Sequence, residues 1–290
     1  MSTHDSAREQ SPSVAAPSAK MAPGLVDACN RRIHYLRISV TPECNLCCRY
    51  CRPDRLPKGR AAKGALLSLD DIRALIATAR DLGMDKVRFT GGEPLLREEI
   101  VEMVQTACHT PGITDVGLTT NGVLLPRYAV PLRRAGLRRV NLSLDTLRPA
   151  RFREITPVGA LDEVLAGLEA AIAAGFETIK LNCVVAESPE EDDAREVAAF
   201  ARQRGLAVRF IREMDLEAGR FWPVIGGDGG RCERCNRLRV TSTGYVIPCL
   251  FSDLAYSLRE HGIEGALRLA VEMKPVRGNK SSNPFCEIGG

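Results

Sequence analysis

Cys44, Cys48 and Cys51 stand in a C-x3-C-x2-C spacing directly after a strand-like run. Thiolates set that close on one short loop can wrap three corners of an iron–sulfur cube, and three ligands leave one iron open. An open iron can chelate a small molecule, much as a catalytic zinc keeps one position free. The competing reading is a structural zinc knot, which wants a fourth donor nearby, and Cys47 could supply it. A second group, Cys232, Cys235 and Cys249, repeats the count of three in a C-x2-C-x13-C spacing, and Cys286 is a candidate further ligand for it.

Such loops need a frame, and the sequence supplies one. Residues 35–41 read as a strand, followed by the cysteine loop. Ser68 with Asp71 makes a helix start, and Ile72, Leu75, Ile76 and Leu82 give that helix its apolar face. Strands are expected at 86–90, 115–119, 140–144, 178–185 and 208–211, with helices at about 97–108, 161–174 and 190–204 between them. Strand–helix alternation repeated six times means parallel βαβ units, hence an α/β fold.

Side chains at i and i+2 of a strand share one face. Arg37 and Ser39 then oppose Leu36, Ile38 and Val40, while Lys86, Arg88 and Thr90 oppose Val87 and Phe89. Asn141 and Ser143 oppose Val140, Leu142 and Leu144. Lys180 and Asn182 oppose Ile179, Leu181 and Cys183, and Arg209 opposes Val208 and Phe210. The apolar set must pack outward on the helices, so the polar set lines a lumen. Arg37, Lys86, Arg88, Lys180 and Arg209 then share one cavity, with few carboxylates on the same faces to balance them. Cations so placed repel one another by several kcal/mol in a low dielectric unless a polyanion or much water sits among them. A triphosphate suits both the Arg forks and the Lys point charges. Amphipathic antiparallel strands with one wet face are the alternative.

The cysteine spacing, with Tyr50 before the third cysteine, resembles the signature of the radical S-adenosylmethionine (SAM) enzymes. Gly91-Gly92-Glu93-Pro94, after a strand some forty residues on, resembles their SAM-binding motif. The resemblance implies a partial (β/α)6 TIM-like barrel, for which a doubly wound sheet is the alternative. It implies a [4Fe–4S] cluster whose free iron holds the methionyl moiety, and reductive cleavage to a 5′-deoxyadenosyl radical. Tyr50, Gly91, Gly92, Glu93, Ser143 and Met214 fall where that family contacts SAM.

The runs RISVT, RFTGGEPLLR, LTTNG, VNLSLDTL, IKLNCVV and VRFI, with the second cysteine group, resemble in particular the GTP 3′,8-cyclases of molybdenum-cofactor biosynthesis. That likeness implies a second [4Fe–4S] cluster on Cys232, Cys235 and Cys249, whose open iron binds guanine. It places Arg37, Arg88, Thr119, Lys180, Arg237 and Arg239 against GTP, with Lys86 and Arg209 nearby. The expected reaction is hydrogen abstraction at ribose C3′ and attack on guanine C8, a lyase chemistry. A flavodoxin or ferredoxin would supply electrons, and the next enzyme of pterin synthesis and a homodimer are expected partners. The terminal Gly289-Gly290 resembles the cyclases' tail, which reaches the active site. Only 17 residues separate Met214 from Cys232 and Arg52 follows the third cysteine. These departures leave open a radical SAM paralogue acting on another phosphorylated metabolite or a peptide.

At 290 residues, with 44% hydrophobic and 26% charged residues, the chain can hold one large domain with an appendage. The expected division is a tail over 1–24, a core barrel over 25–215 and an auxiliary-cluster region over 216–290. The tail is rich in Ser, Ala and Pro and reads as disordered, without the apolar run of a secretory signal. A net charge of +4 is too small to imply nucleic acid or membrane binding. Eleven cysteines in a chain of this design point to metal ligation in a reducing cytoplasm rather than to disulfides.

Overall fold

The computed structural model describes residues 24–51, 65–283 and 285–288. The expected tail up to residue 23, Arg52, Gly289-Gly290 and the side chain of Cys286 lie outside the described residues. A short antiparallel pair, β1 (Leu25–Val26) and β2 (Arg32–Ile33), precedes β3 (Tyr35–Ser39). There follow α1 (Leu69–Asp81), β4 (Lys86–Thr90), α2 (Ile100–His109), β5 (Asp115–Thr120), α3 (Leu125–Arg134) and β6 (Arg139–Ser143). Next come α4 (Pro149–Ile155), α5 (Leu161–Ala173), β7 (Thr178–Val185), α6 (Asp192–Gln203) and β8 (Ala207–Arg212). Three further strands, β9 (Arg237–Val240), β10 (Tyr245–Ile247) and β11 (Tyr256–Ser257), lead to α7 (Leu258–Glu272) and α8 (Phe285–Ile288).

β3 to β8 pair in parallel in strict sequence order, with none of the reversal that a doubly wound sheet requires. The six expected strands are present within one or two residues of their expected ends. Ser68 caps α1, its hydroxyl accepting from the Asp71 N–H while Asp71 accepts from the Ser68 N–H, as the sequence predicts. Leu36, Ile38, Phe89, Leu118, Val140, Leu142 and Leu181 are fully closed off, so the apolar face packs against the helices. Each such side chain contributes about 1.5–3 kcal/mol by leaving water.

Three features were not expected. Helix α3 forms despite Pro126 and Pro131 because Pro126 sits in its first turn, where its missing N–H costs nothing. Helix α7 runs through a kink at Gly262, whose φ of 67° only glycine adopts freely. Strand β9 pairs in parallel with β3 on the edge opposite β4, and β10 and β11 continue antiparallel from it. The sheet is thus nine strands wide, in the order β11-β10-β9-β3-β4-β5-β6-β7-β8. The chain after β8 must cross from one edge of the parallel set to the other, and residues 213–236 make that crossing. Ile225 pairs back on Phe210, and Asp215 exchanges two backbone hydrogen bonds with Arg220. Among the described residues no helix is long and apolar enough to cross a membrane.

Candidate active site

Polar side chains from β3, β4, β5, β6, β7, β8 and β9 line one cavity of about 950 Å³. Seven flat strands would spread over roughly 29 Å at their usual spacing, so the sheet curves around this space. Arg37 has Arg88 beside it on β4 and Arg239 beside it on β9, giving three arginines in one row. Lys86, Tyr35 and Arg237 form the next row. Arg209 enters from β8, and the Nε atoms of Arg209 and Arg237 and Oδ1 of Asn182 are buried with no partner among the described residues. Buried polar atoms are ordinarily paired, so the two guanidinium Nε–H groups call for acceptors and the Asn182 oxygen for a donor from a ligand in this cavity.

The crowding has electrostatic consequences. Burial, joined by the charges of Arg88, Arg237 and Arg209 and opposed by Tyr35, pulls the Arg37 guanidinium down to about 10. Burial and the charges of Arg37 and Arg237 pull Arg239 well below its usual value. Lys180 is lowered too, by desolvation and then by Arg209, Arg139, Arg88 and Lys86. It feels the same positive field but stands off the cavity wall. The expected scarcity of carboxylates needs correction. Asp115, on the polar face of β5, binds Lys86 at 2.7 Å and Arg139 at 3.0 Å, and Asp228 joins the wall beside Arg237. Arg139 continues the Arg88 row through Gly117 and was missed because it opens its strand. Gly117 itself leaves room for Arg88, since a Cβ there would lie 3.0 Å from its Nη2.

At the C-terminal ends of the strands, Cys44, Cys48 and Cys51 share the wall of a cavity of about 1040 Å³ with Tyr50, Gly91, Gly92, Ser143 and Met214. Cys47 is not on that wall. The cysteine loop lies on the glycine backbone: Gly92 N–H donates to the Thr41 carbonyl and Glu93 N–H to the Glu43 carbonyl. A Cβ on Gly92 would sit 2.1 Å from the Glu43 oxygen, so close approach, not a turn, demands glycine here. Glu93 does not reach the cavity. Its carboxylate is enclosed, accepting from Leu95 N–H, Thr120 Oγ1 and Asn121 N–H, and burial raises it to about 7 despite those donors. Tyr50 is fixed by a 2.8 Å hydrogen bond to Asp145, which also accepts from the Val184 N–H. Asp145 was not singled out, because one Asp at a strand end has no spacing to mark it.

The second thiol group lines a third cavity, of about 540 Å³. Cys232 and Cys235 flank a single helical turn, and Cys249 follows β10. Lys274, buried behind them, donates to the carbonyls of Arg237 and Pro248 and so ties both cysteine-bearing segments together. Thr119, Asn182, Ile211 and Met214 belong to the walls of both the first thiol cavity and the cationic one. Arg237, Arg239, Gly230 and Leu250 are shared between the cationic cavity and the second thiol cavity. The cationic space therefore lies between two thiol triads. Among the described residues no three His, Cys, Asp or Glu side chains form a group that could hold a metal ion as they stand.

Residues 38–201 match the radical SAM superfamily. The sequence is 39% identical to a GTP 3′,8-cyclase of Heliobacterium modesticaldum, covering 87% of this chain and 94% of the relative. That alignment spans 309 positions against 290 residues here, so the relative carries segments this chain lacks. A GTP 3′,8-cyclase of Geobacter sulfurreducens is 36% identical, covering 89% and 95%. Among solved structures, SuiB of Streptococcus suis bound to S-adenosylmethionine is similar in fold. Its TM-score is 0.56 at 16% identity, over 83% of this chain and 67% of that one.

Proposed function

This chain belongs to the radical SAM superfamily and, within it, to the GTP 3′,8-cyclases, and from that membership we propose how its three cavities divide the cyclisation of GTP. Membership implies a [4Fe–4S] cluster and SAM, and the first thiol cavity fits both. Cys44, Cys48 and Cys51 hold the cluster. Gly91 and Gly92, packed against the backbone of the cysteine loop, present main chain on the cavity wall to the methionyl end of SAM; Tyr50 is held by Asp145 beside it, and Ser143 and Met214 line the same wall, with Glu93 setting the loop from behind. When bound, this pair supplies a 5′-deoxyadenosyl radical able to take an unactivated ribose hydrogen, which has no acidic proton for a side-chain base to remove.

The triphosphate occupies the cationic cavity. Arg37, Arg88 and Arg239 grip it as a row, Arg209, Arg237, Lys86 and Thr119 flank it, and Lys180 adds its field from behind the wall. Cys232, Cys235 and Cys249 hold a second cluster at the guanine end. The residues from 216 onward serve as that auxiliary region. A flavodoxin- or ferredoxin-type donor in the cytoplasm, and the next enzyme of pterin synthesis, are the matching partners. The observation that carries the reading is the row of three registered arginines in a cavity flanked by both thiol triads.

The test is anaerobic reconstitution with iron and sulfide, iron counting, then reduction with SAM and each nucleotide in turn. About eight irons per chain, with a cyclised product from GTP alone, is the expected result. Deoxyadenosine without nucleotide conversion would instead support a paralogue acting on another phosphorylated metabolite or a peptide.

A further inference from the structure

Tyr35 opens β3 inside the cationic cavity and is 8% exposed. Arg88 Nε donates to its phenol oxygen at 2.6 Å, the Lys86 ammonium lies 4.9 Å from its ring centroid, and the Arg237 guanidinium lies 5.9 Å away. The oxygen accepts from Arg88, yet the phenolic O–H has no acceptor among the described residues. A buried hydroxyl with an unused proton, set among cations, faces the space assigned above to phosphate.

We propose that Tyr35 is a further substrate-binding residue, its phenolic O–H donating to a phosphate oxygen while its oxygen holds the Arg88 guanidinium toward the same group. The inference rests on the reading of that cavity as a phosphate site. It differs from the arginine contacts in kind, because Tyr35 offers a neutral donor that can be lost by ionisation. Burial would raise the phenol, but Arg88, Arg37 and Arg237 outweigh it and bring it down to about 8. Arg209 and Arg239 also face it, and Asp228 and the Asp115 carboxylate paired with Lys86 are the nearby anions. A phosphate monoester is already doubly ionised above roughly pH 6. Above about pH 8 the phenolate repels the phosphate instead of donating to it, so binding takes up one proton and weakens by up to about tenfold per pH unit. Lys180, lowered as well, weakens binding on the same side of neutrality, and that limb remains when the phenol is removed.

The test measures equilibrium binding of GTP, and in parallel of inorganic triphosphate, to the anaerobic cluster-loaded enzyme without reductant, from pH 6.5 to 9.5. Wild type is compared with Tyr35→Phe, which keeps the ring over Lys86. At pH 7 the variant should bind both probes about tenfold more weakly, the size of one hydrogen bond to a charged group. Above pH 8 its affinity should fall less steeply than that of wild type. Equal affinity at pH 7, or identical pH limbs, overturns the inference. Triphosphate binding without GTP binding by wild type overturns the nucleotide reading and leaves the role of Tyr35 standing; failure of both probes overturns both.

Discussion

Arg37 and Arg239, two hundred residues apart in the chain, stand side by side on the parallel strands β3 and β9. Burial lowers both; Arg37 and Arg237 lower Arg239 further, Arg88, Arg237 and Arg209 lower Arg37, and Arg88 completes the row on the other side of Arg37. Like charges in register destabilise a sheet. Arg239 Nη1 donates to the Ile288 carbonyl, and on the function proposed above a bound triphosphate offsets the remaining repulsion.

Arg37→Ala should therefore separate stability from function. Without any anion the variant should melt at or above the wild-type temperature, because one member of a repelling set is gone. Inorganic triphosphate at a hundred times its dissociation constant should stabilise wild type by about 2.7 kcal/mol and the variant by less than half that. GTP turnover should fall at least about a hundredfold. A variant less stable than wild type in anion-free buffer, yet equally stabilised by triphosphate, would contradict this account.

Gly117 bears on the same row at one remove. A methyl at Gly117 would press on the end of Arg88, with contacts of 3.0–3.3 Å to its guanidinium. Arg88 can swing, so Gly117→Ala should cost little stability but weaken GTP binding about tenfold, with SAM binding and iron content unchanged. Calorimetric titration of each ligand distinguishes the two effects.

Gly92→Ala should act on the other cavity. Its Cβ would meet backbone, 2.1 Å from the Glu43 oxygen, so the cysteine loop itself must move. Iron should drop from about eight to about four per chain, with loss of deoxyadenosine formation. Gly265→Ala is the control: in α7 its Cβ would meet nothing closer than 3.6 Å, and alanine favours the helix. Full iron in Gly92→Ala would show that the close packing is dispensable.

Asp145 predicts a pH dependence. Burial, with some repulsion from Asp193, raises it from 3.8 to about 6 against the hydrogen bonds from Val184 and Tyr50. Below pH 4 both folded and unfolded chains hold this proton; between about 4 and 6 the unfolded chain releases it first. Stability of the cluster-free protein should thus fall across that window as pH rises and stay lowered above it. Asp145→Asn keeps an acceptor for the Val184 N–H and can donate to Tyr50. It should flatten the slope and gain about 1–2 kcal/mol at pH 7.5 relative to pH 4. Urea midpoints at both pH values check this, and an unchanged slope would rule Asp145 out as its source.

Local pattern was enough for everything that repeats at short range. Period-two alternation placed Arg37, Lys86, Arg88 and Arg209 on the lumen face, and thiol spacing marked both triads, because each is a relation between residues a few positions apart. The capping box at Ser68 was legible for the same reason. Where short-range signals conflicted, as with Pro131 in α3, the sequence was misleading, since burial of Leu125, Ala129 and Leu132 outweighs one lost backbone bond.

Other relations belong to the fold alone. That Arg239 lands beside Arg37, that Asp115 neutralises Lys86, that Asp145 holds Tyr50 and that the Tyr35 oxygen accepts from Arg88 are all pairings between segments distant in sequence. A strand carries its two faces in its own sequence but not the identity of its neighbour. Neighbours are selected by the burial of the whole apolar face at once, and only that choice turned scattered cations into a single site.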